Sequence, residues 1–152
     1  MKKLIHTAVV AMAMAQTVGG QERRPFRPYV EHASLISKAK AWEGKYYRRG
    51  VSYQCANWVG EVASSSGFSL PGGHSMARSW LEWGKPVNLS SIRPGDVVIT
   101  WRGSRGGSSG HILIYLGGGQ CIHRPTHSSP VRRISLDSYR SRILGVRRPT
   151  RK

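Results

Sequence analysis

Arg93-Pro94-Gly95-Asp96-Val97-Val98-Ile99-Thr100-Trp101 is a proline-glycine corner that opens into a run of β-branched and aromatic residues. Pro94 and Gly95 suit the centre of a tight turn, and the run after them suits a buried, pleated strand. The chain changes character here. Downstream, His111-Ile112-Leu113-Ile114-Tyr115-Leu116 and Gln120-Cys121-Ile122-His123 flank Gly117-Gly118-Gly119, which predicts a tight hairpin. Val131 to Leu136 and Ile143 to Val146 read as two further strands before a basic tail. Gly103 to Gly110, rich in glycine and serine, reads as a flexible loop.

Upstream of the corner the apolar period is helical. Glu31 to Trp42 spaces Ala33, Leu35, Ile36, Ala39 and Trp42 as one helix face, closed by Gly44. After a turn-rich connector, Tyr46 to Gln54, the residues Cys55, Trp58, Val59, Val62 and Ala63 fall at i, i+3, i+4, i+7 and i+8. That pattern places Cys55 in the first turn of a second helix, on its core side. His74 to Trp83 has helical spacing again and is stopped by Gly84. Helices first and a mostly antiparallel sheet afterwards predict an α+β domain of two packed layers, with any site shared by Cys55 and strand residues lying between them.

The 152 residues suffice for one such domain, and 39% hydrophobic with 20% charged residues excludes wholesale disorder. Met1-Lys2-Lys3, an apolar run and Ala13-Met14-Ala15 read as a cleaved signal peptide over 1–15, too short to span a bilayer. A polar, flexible arm follows over 16–28, and the domain occupies 29–152. This reading expects secretion to an extracellular or periplasmic space. The net charge is +17, from 24 Lys and Arg against 7 Asp and Glu; loss of Lys2 and Lys3 lowers it by two to +15. Such a charge selects polyanions. Outside the cell these are anionic bacterial envelopes, lipids and glycans, with no obligatory nucleic acid.

Two cysteines in an exported chain leave two readings open. One is a structural Cys55–Cys121 disulfide in a non-enzymatic cationic protein that binds envelopes or nucleic acid. The other is a free nucleophile. A thiol with an ordinary pKa of about 8.5 needs help to ionise, and a helix start with an adjacent imidazolium supplies it. His111 and His123, joined through the glycine turn, can be cross-strand neighbours, one acting as base and the other fixing its orientation. Cys121, His123 and His127 with Cys55 do not form a common closed zinc set, so neither a metal nor another cofactor is implied. Trp80 and Trp83 read as core, and His74 as surface.

The order Cys55, Arg93-Pro94-Gly95-Asp96-Val97-Val98, Gly110-His111-Ile112-Leu113-Ile114-Tyr115-Leu116-Gly117 and Gly119-Gln120-Cys121-Ile122-His123 resembles the NlpC-type cell-wall cysteine peptidases, over roughly Tyr46 to Pro149. The resemblance implies a papain-like fold and a triad of Cys55, His111 and His123. It puts the family's oxyanion tyrosine at Tyr47, and it implies amide hydrolysis in bacterial peptidoglycan, either in stem peptides or in crosslinks. The family's usual Asp-Cys-Ser-Gly is Gln54-Cys55-Ala56-Asn57 here, which removes an acid and a hydroxyl linked to recognition of a free stem-peptide amine. Small size, high charge and a signal are similar to type VI secretion amidase effectors and their animal-domesticated relatives. That likeness implies an antibacterial role, and an immunity protein as partner for a bacterial effector.

Overall fold

In this computed structural model the described residues are 32–151 together with Thr17–Val18 and Gln21–Glu22. The two short pairs are antiparallel strands β1 and β2; the segment read as a signal peptide, and the rest of 16–28, lie outside the described residues. Helices α1 (Ala33–Ala41) and α2 (Cys55–Ser65) come next. Strands β3 (Lys85–Val87), β4 (Val97–Trp101), β5 (Gly110–Gly117), β6 (Gln120–His123), β7 (Arg132–Ser135) and β8 (Ile143–Arg148) complete the fold. All neighbours in the six-stranded sheet are antiparallel, in the order β3-β8-β4-β5-β6-β7.

The predicted helix faces are the buried ones. α1 buries Leu35 and Ala39, and Lys38 and Lys40 in its last turn complement the negative end of the helix dipole. α2 buries Cys55, Ala56, Trp58, Val59, Val62 and Ala63 and packs on α1 and β5. Trp58 is wholly enclosed, so its truncation to alanine would cost about 3–5 kcal/mol. The helical spacing around Trp80 resolves differently from expectation. Ala77–Glu82 is a 3-10 helix, whose three-residue repeat stacks Ala77, Trp80 and Trp83 on one buried side. Both tryptophans are core, their rings 4.8 Å apart, with Trp80 Nε1 donating to His74 O and Trp83 Nε1 to Ser69 O.

The Pro-Gly-Asp corner is anchored from inside. Asp96 is fully buried and accepts from Arg93 N (2.8 Å) and from Arg148 Nε and Nη2 (3.0 Å each), which ties the corner to the end of β8. Gly117, Gly118 and Gly119 all have positive φ, the backbone that the β5–β6 hairpin requires. β3 was not legible in the sequence: it is three residues long and contains Pro86, which an edge position tolerates.

The sheet is apolar on both faces, where the sequence suggested only one covered layer. Ile99, Ile112, Ile114 and Ile122 belong to the core shared with α2. Val98, Leu113, Tyr115 and Cys121 build a second core with Leu136, Val146 and Tyr139, beneath a 3-10 helix at Leu136–Arg142. His111 and His123 alternate in step with Leu113 and Cys121, and therefore project toward this second layer.

Candidate active site

Cys55 is the first residue of α2, and its side chain is 7% exposed. Gln54 occupies the cap position without a side-chain cap, and no acidic residue lies in the first turn, so the N–H groups there remain available. Gln54 Oε1 instead accepts from Arg48 Nη1 (2.9 Å) and Asn57 Nδ2 (2.8 Å). Tyr53, 81% exposed, has a φ of +58°, a costly conformation for a bulky residue, two positions before the thiol.

The thiol meets the sheet at an open strand edge. The β5–β6 ladder runs from Ile114 to Gly117 only, so β5 is unpaired on that side at His111 and Ile112. The first turn of α2 fills this place, with the Ile112 N–H acting on the Cys55 sulfur beside those of Ala56 and of Cys55 itself. The thiol thus lies where the start of α2 packs on β5, between helix and sheet as expected, while the two histidines project from the other face of the sheet.

The two histidines meet as the hairpin predicts, with His111 Nε2 and His123 Nδ1 2.7 Å apart. Arg102 Nη2 lies 3.0 Å from His111 Nδ1. A guanidinium only donates, so Nδ1 is the bare nitrogen of His111 and Nε2 carries the proton it gives to His123. His123 must then hold its own proton on Nε2, which is buried without a hydrogen-bond partner. Tyr139 stacks on His111 (5.5 Å between centroids, 26° between planes) and meets His123 edge-on (5.9 Å). The His111 base faces the arginine side, and its far nitrogen is held by His123.

Burial dominates the protonation of the site. It pushes the Cys55 thiol above its ordinary value, and the opposing pull of Arg102 and the three backbone N–H groups does not overcome it. His111 is held well below 6.5, by burial first and then by Arg102, His123, Arg124 and Arg142. His123 is lowered to about 4, by burial and then by Arg132 and Arg102. The resting site is a neutral thiol beside neutral imidazoles. Burial, which outweighs the pull of Arg102 and of the helix N–H groups, favours the neutral thiol over the thiolate–imidazolium pair expected from the helix start.

Tyr47 is buried at 8% exposure, packs edge-on against Trp42 at 5.5 Å, and burial raises its pKa. It lines neither groove at the thiol, whereas Tyr53 lines both. Cys55 and Cys121 are both free thiols, so the structural disulfide is not formed. Cys121 belongs to the second core, where burial pushes it up to about 12, and it too lines neither groove.

Three arginines escaped the sequence reading among 24 cationic residues. Arg102 touches the base. Arg124, 2% exposed, donates to the carbonyls of Tyr47, Arg48 and Val51, which fixes the connector just before Cys55. Arg78 donates to the carbonyls of Ser109, Arg105 and Ser104, so the Gly/Ser stretch predicted to be flexible is tied down. The only sequence signal for Arg124 was its position directly after His123.

Two grooves open on the thiol. One, of about 320 Å³, runs between Ser52–Gln54 and Arg124–His127. The other, of about 220 Å³, runs between Ser75–Ala77 and Ser108–Gly110. Tyr53, Cys55 and Arg102 border both, so an extended chain could lie across the thiol with a part in each. Among the described residues no carboxylate lines either groove. Among the described residues no group of three or more His, Cys, Asp or Glu side chains could hold a metal ion.

The profile of the NlpC/P60 family matches residues 41–148. A protein of Mycobacterium tuberculosis named probable endopeptidase is 33% identical over 112 residues, which is 71% of this chain and 27% of that one. The murein DD-endopeptidase/murein LD-carboxypeptidase of Escherichia coli is 33% identical over 102 residues, 64% of this chain and 51% of its own. The chain therefore spans about a quarter of the mycobacterial relative and half of the E. coli one. The crystal structure of an NlpC/P60 family protein from Bacillus cereus superposes with a TM-score of 0.65 at 25% identity, covering 76% of this chain and 39% of that one.

Proposed function

Because the chain belongs to the NlpC/P60 family, we propose that it is a cysteine hydrolase that cuts amide bonds in the stem peptides or crosslinks of bacterial peptidoglycan. The observation that carries this reading is the meeting of Cys55, at the uncapped start of α2, with the open edge of β5 next to the bonded pair His111–His123.

The chemistry follows from the protonation states. His111 is neutral, with Nδ1 bare, and takes the thiol proton as sulfur attacks the carbonyl carbon. Negative charge develops on the former carbonyl oxygen, which the N–H groups at the start of α2 can receive. The C–N bond breaks as His111 returns the proton to the departing amine. Water then attacks the thioester, again through His111, and releases the acid and the thiol. His123 accepts from Nε2 throughout, which fixes the tautomer and keeps Nδ1 aimed as the nitrogen that takes and returns the proton.

Secretion and an antibacterial role are part of the same proposal, supported by the basic, apolar start of the sequence and by the net charge of +17, which draws the protein to anionic envelopes. The deciding experiment is mass spectrometry of purified peptidoglycan fragments after digestion by wild type and Cys55→Ala. New termini made only by the wild type support the reading and identify the bond. Amine adducts in place of free acids would make the reaction acyl transfer, and identical digests would refute it.

A further inference from the structure

Arg102 does two things that conflict. It borders both grooves beside the thiol, where a substrate must lie, and its Nη2 occupies the bare nitrogen of His111, which the reaction needs free. Its other contact is long, 3.5 Å to Pro125 O, and among the described residues no carboxylate pairs with it. Arg124 borders the larger groove, and although it is nearly wholly buried its partners are three neutral carbonyls. A buried guanidinium such as that of Arg124, held only by neutral carbonyls, is costly, and with the half-buried Arg102 beside it in a groove that lacks a carboxylate among the described residues, the groove suits an anion. The planar fork of Arg102 suits a carboxylate, whose two oxygens offer a stronger partner than a neutral imidazole nitrogen.

The geometry points to Arg102, backed by Arg124, as the reader of a free carboxylate on the substrate beside the scissile amide, and to that carboxylate as what draws the guanidinium off His111 Nδ1 and bares the base. This rests on the hydrolase reading for its reaction, but the carboxylate site itself does not. The preferred substrates are therefore peptides whose residue next to the cut bond keeps its acid group, and amidation of that group is the modification that protects against cleavage. Without an anionic substrate the base stays covered, which limits reaction of the thiol with neutral compounds. The absence of an acid at Gln54 agrees with this choice, since an amine-binding groove would need the opposite charge.

The test has two arms. In the first, Cys55 is alkylated with iodoacetate and with iodoacetamide, which differ in charge and little in size. The wild type should favour iodoacetate, relative to a free thiol such as N-acetylcysteine, by at least about tenfold, the value of one hydrogen bond to a charged group. Arg102→Gln should lose this preference, and Arg102→Lys, which keeps the charge without the fork, should retain part of it. In the second, kcat/KM is measured on two peptides that differ only in a carboxylate or carboxamide next to the cleaved bond. The wild type should prefer the acid by about ten- to a hundredfold and Arg102→Gln should not. In Arg102→Gln the acid limb of the pH profile should also move to higher pH, because Arg102 is one of the groups that hold His111 down. A merely structural arginine would lower both peptides alike and leave the limb in place. If the wild type shows no charge preference toward either pair of probes, or Arg102→Gln keeps it, the carboxylate site is wrong even if peptidoglycan is cut. If iodoacetate is preferred and no peptide is cut, the carboxylate site stands and the hydrolase reading falls.

Discussion

Lowering the pH from neutral should destabilise this protein through His123. The imidazole is 1% exposed and held at about 4, whereas in the unfolded chain it titrates near 6.5. Above 6.5 both states are neutral there and pH has no effect through this residue. Below 6.5 the unfolded chain takes up a proton that the folded one refuses, so stability falls until the folded pKa is reached. Linkage with these two values gives a loss of about 2 kcal/mol by pH 5 and about 3 kcal/mol by pH 4. The assay is urea denaturation, followed by tryptophan fluorescence, of the wild type and His123→Asn at pH 7 and 5. Asparagine can still accept from His111 Nε2 but cannot be protonated. The remaining ionisable groups are the same in both proteins, so the difference between the two pH dependences reports position 123 together with the hold it exerts on His111. The variant should lose about 2 kcal/mol less than the wild type between pH 7 and 5. Equal losses would refute the assignment of a buried, neutral His123.

Asp96→Asn should destabilise by about 3–5 kcal/mol, measured by the same denaturation, because it leaves the Arg148 guanidinium without its buried counter-charge. Cys121→Ser should keep most of the hydrolysis, with any loss reflecting stability, because Cys121 lies in the second core away from both grooves. Iodoacetate should label Cys55 and not Cys121 in the native protein, as peptide mapping would read, since Cys121 is fully buried and its thiol is pushed up to about 12. Binding to whole bacteria should fall steeply with added salt while cleavage of small soluble fragments falls less, because screening beyond about 8 Å removes attraction by distant charges first; equal salt dependence would contradict steering by the net charge of +17.

The parts of the fold written in local periodicity were legible. Cys55, Trp58, Val59, Val62 and Ala63 gave α2 its first residue and its buried side, and three consecutive glycines gave the hairpin that joins His111 to His123. What stayed hidden depended on partners far along the chain. Arg102 sits beside a stretch whose composition reads as a loop, and nothing local says that Arg78 pins that stretch or that Arg102 turns back to His111. Tyr139 lies on a 3-10 turn with no apolar period, yet it stacks on the base. The protonation of Cys55 stays hidden for a related reason: the helix start is visible in the sequence, but the depth of burial that opposes it is a property of the packed molecule. Lys85–Val87 becomes a strand only because β8 is there to pair with it.

His123 and Arg124 are consecutive residues with opposite assignments. The first holds the base, and the second holds the carbonyls at 47, 48 and 51, on the chain that delivers the nucleophile. A single peptide unit thus serves as a common datum for both halves of the site, so the distance between sulfur and imidazole is referred to one point instead of accumulating error along the 55 residues that lie between Cys55 and His111. Thermal shifts of that unit carry both reacting groups together and cancel from their separation. Insertions at exposed turns of the intervening chain, such as Gly72-Gly73, should be absorbed without loss of alignment, whereas one residue inserted between His123 and Arg124 would set the two halves out of phase.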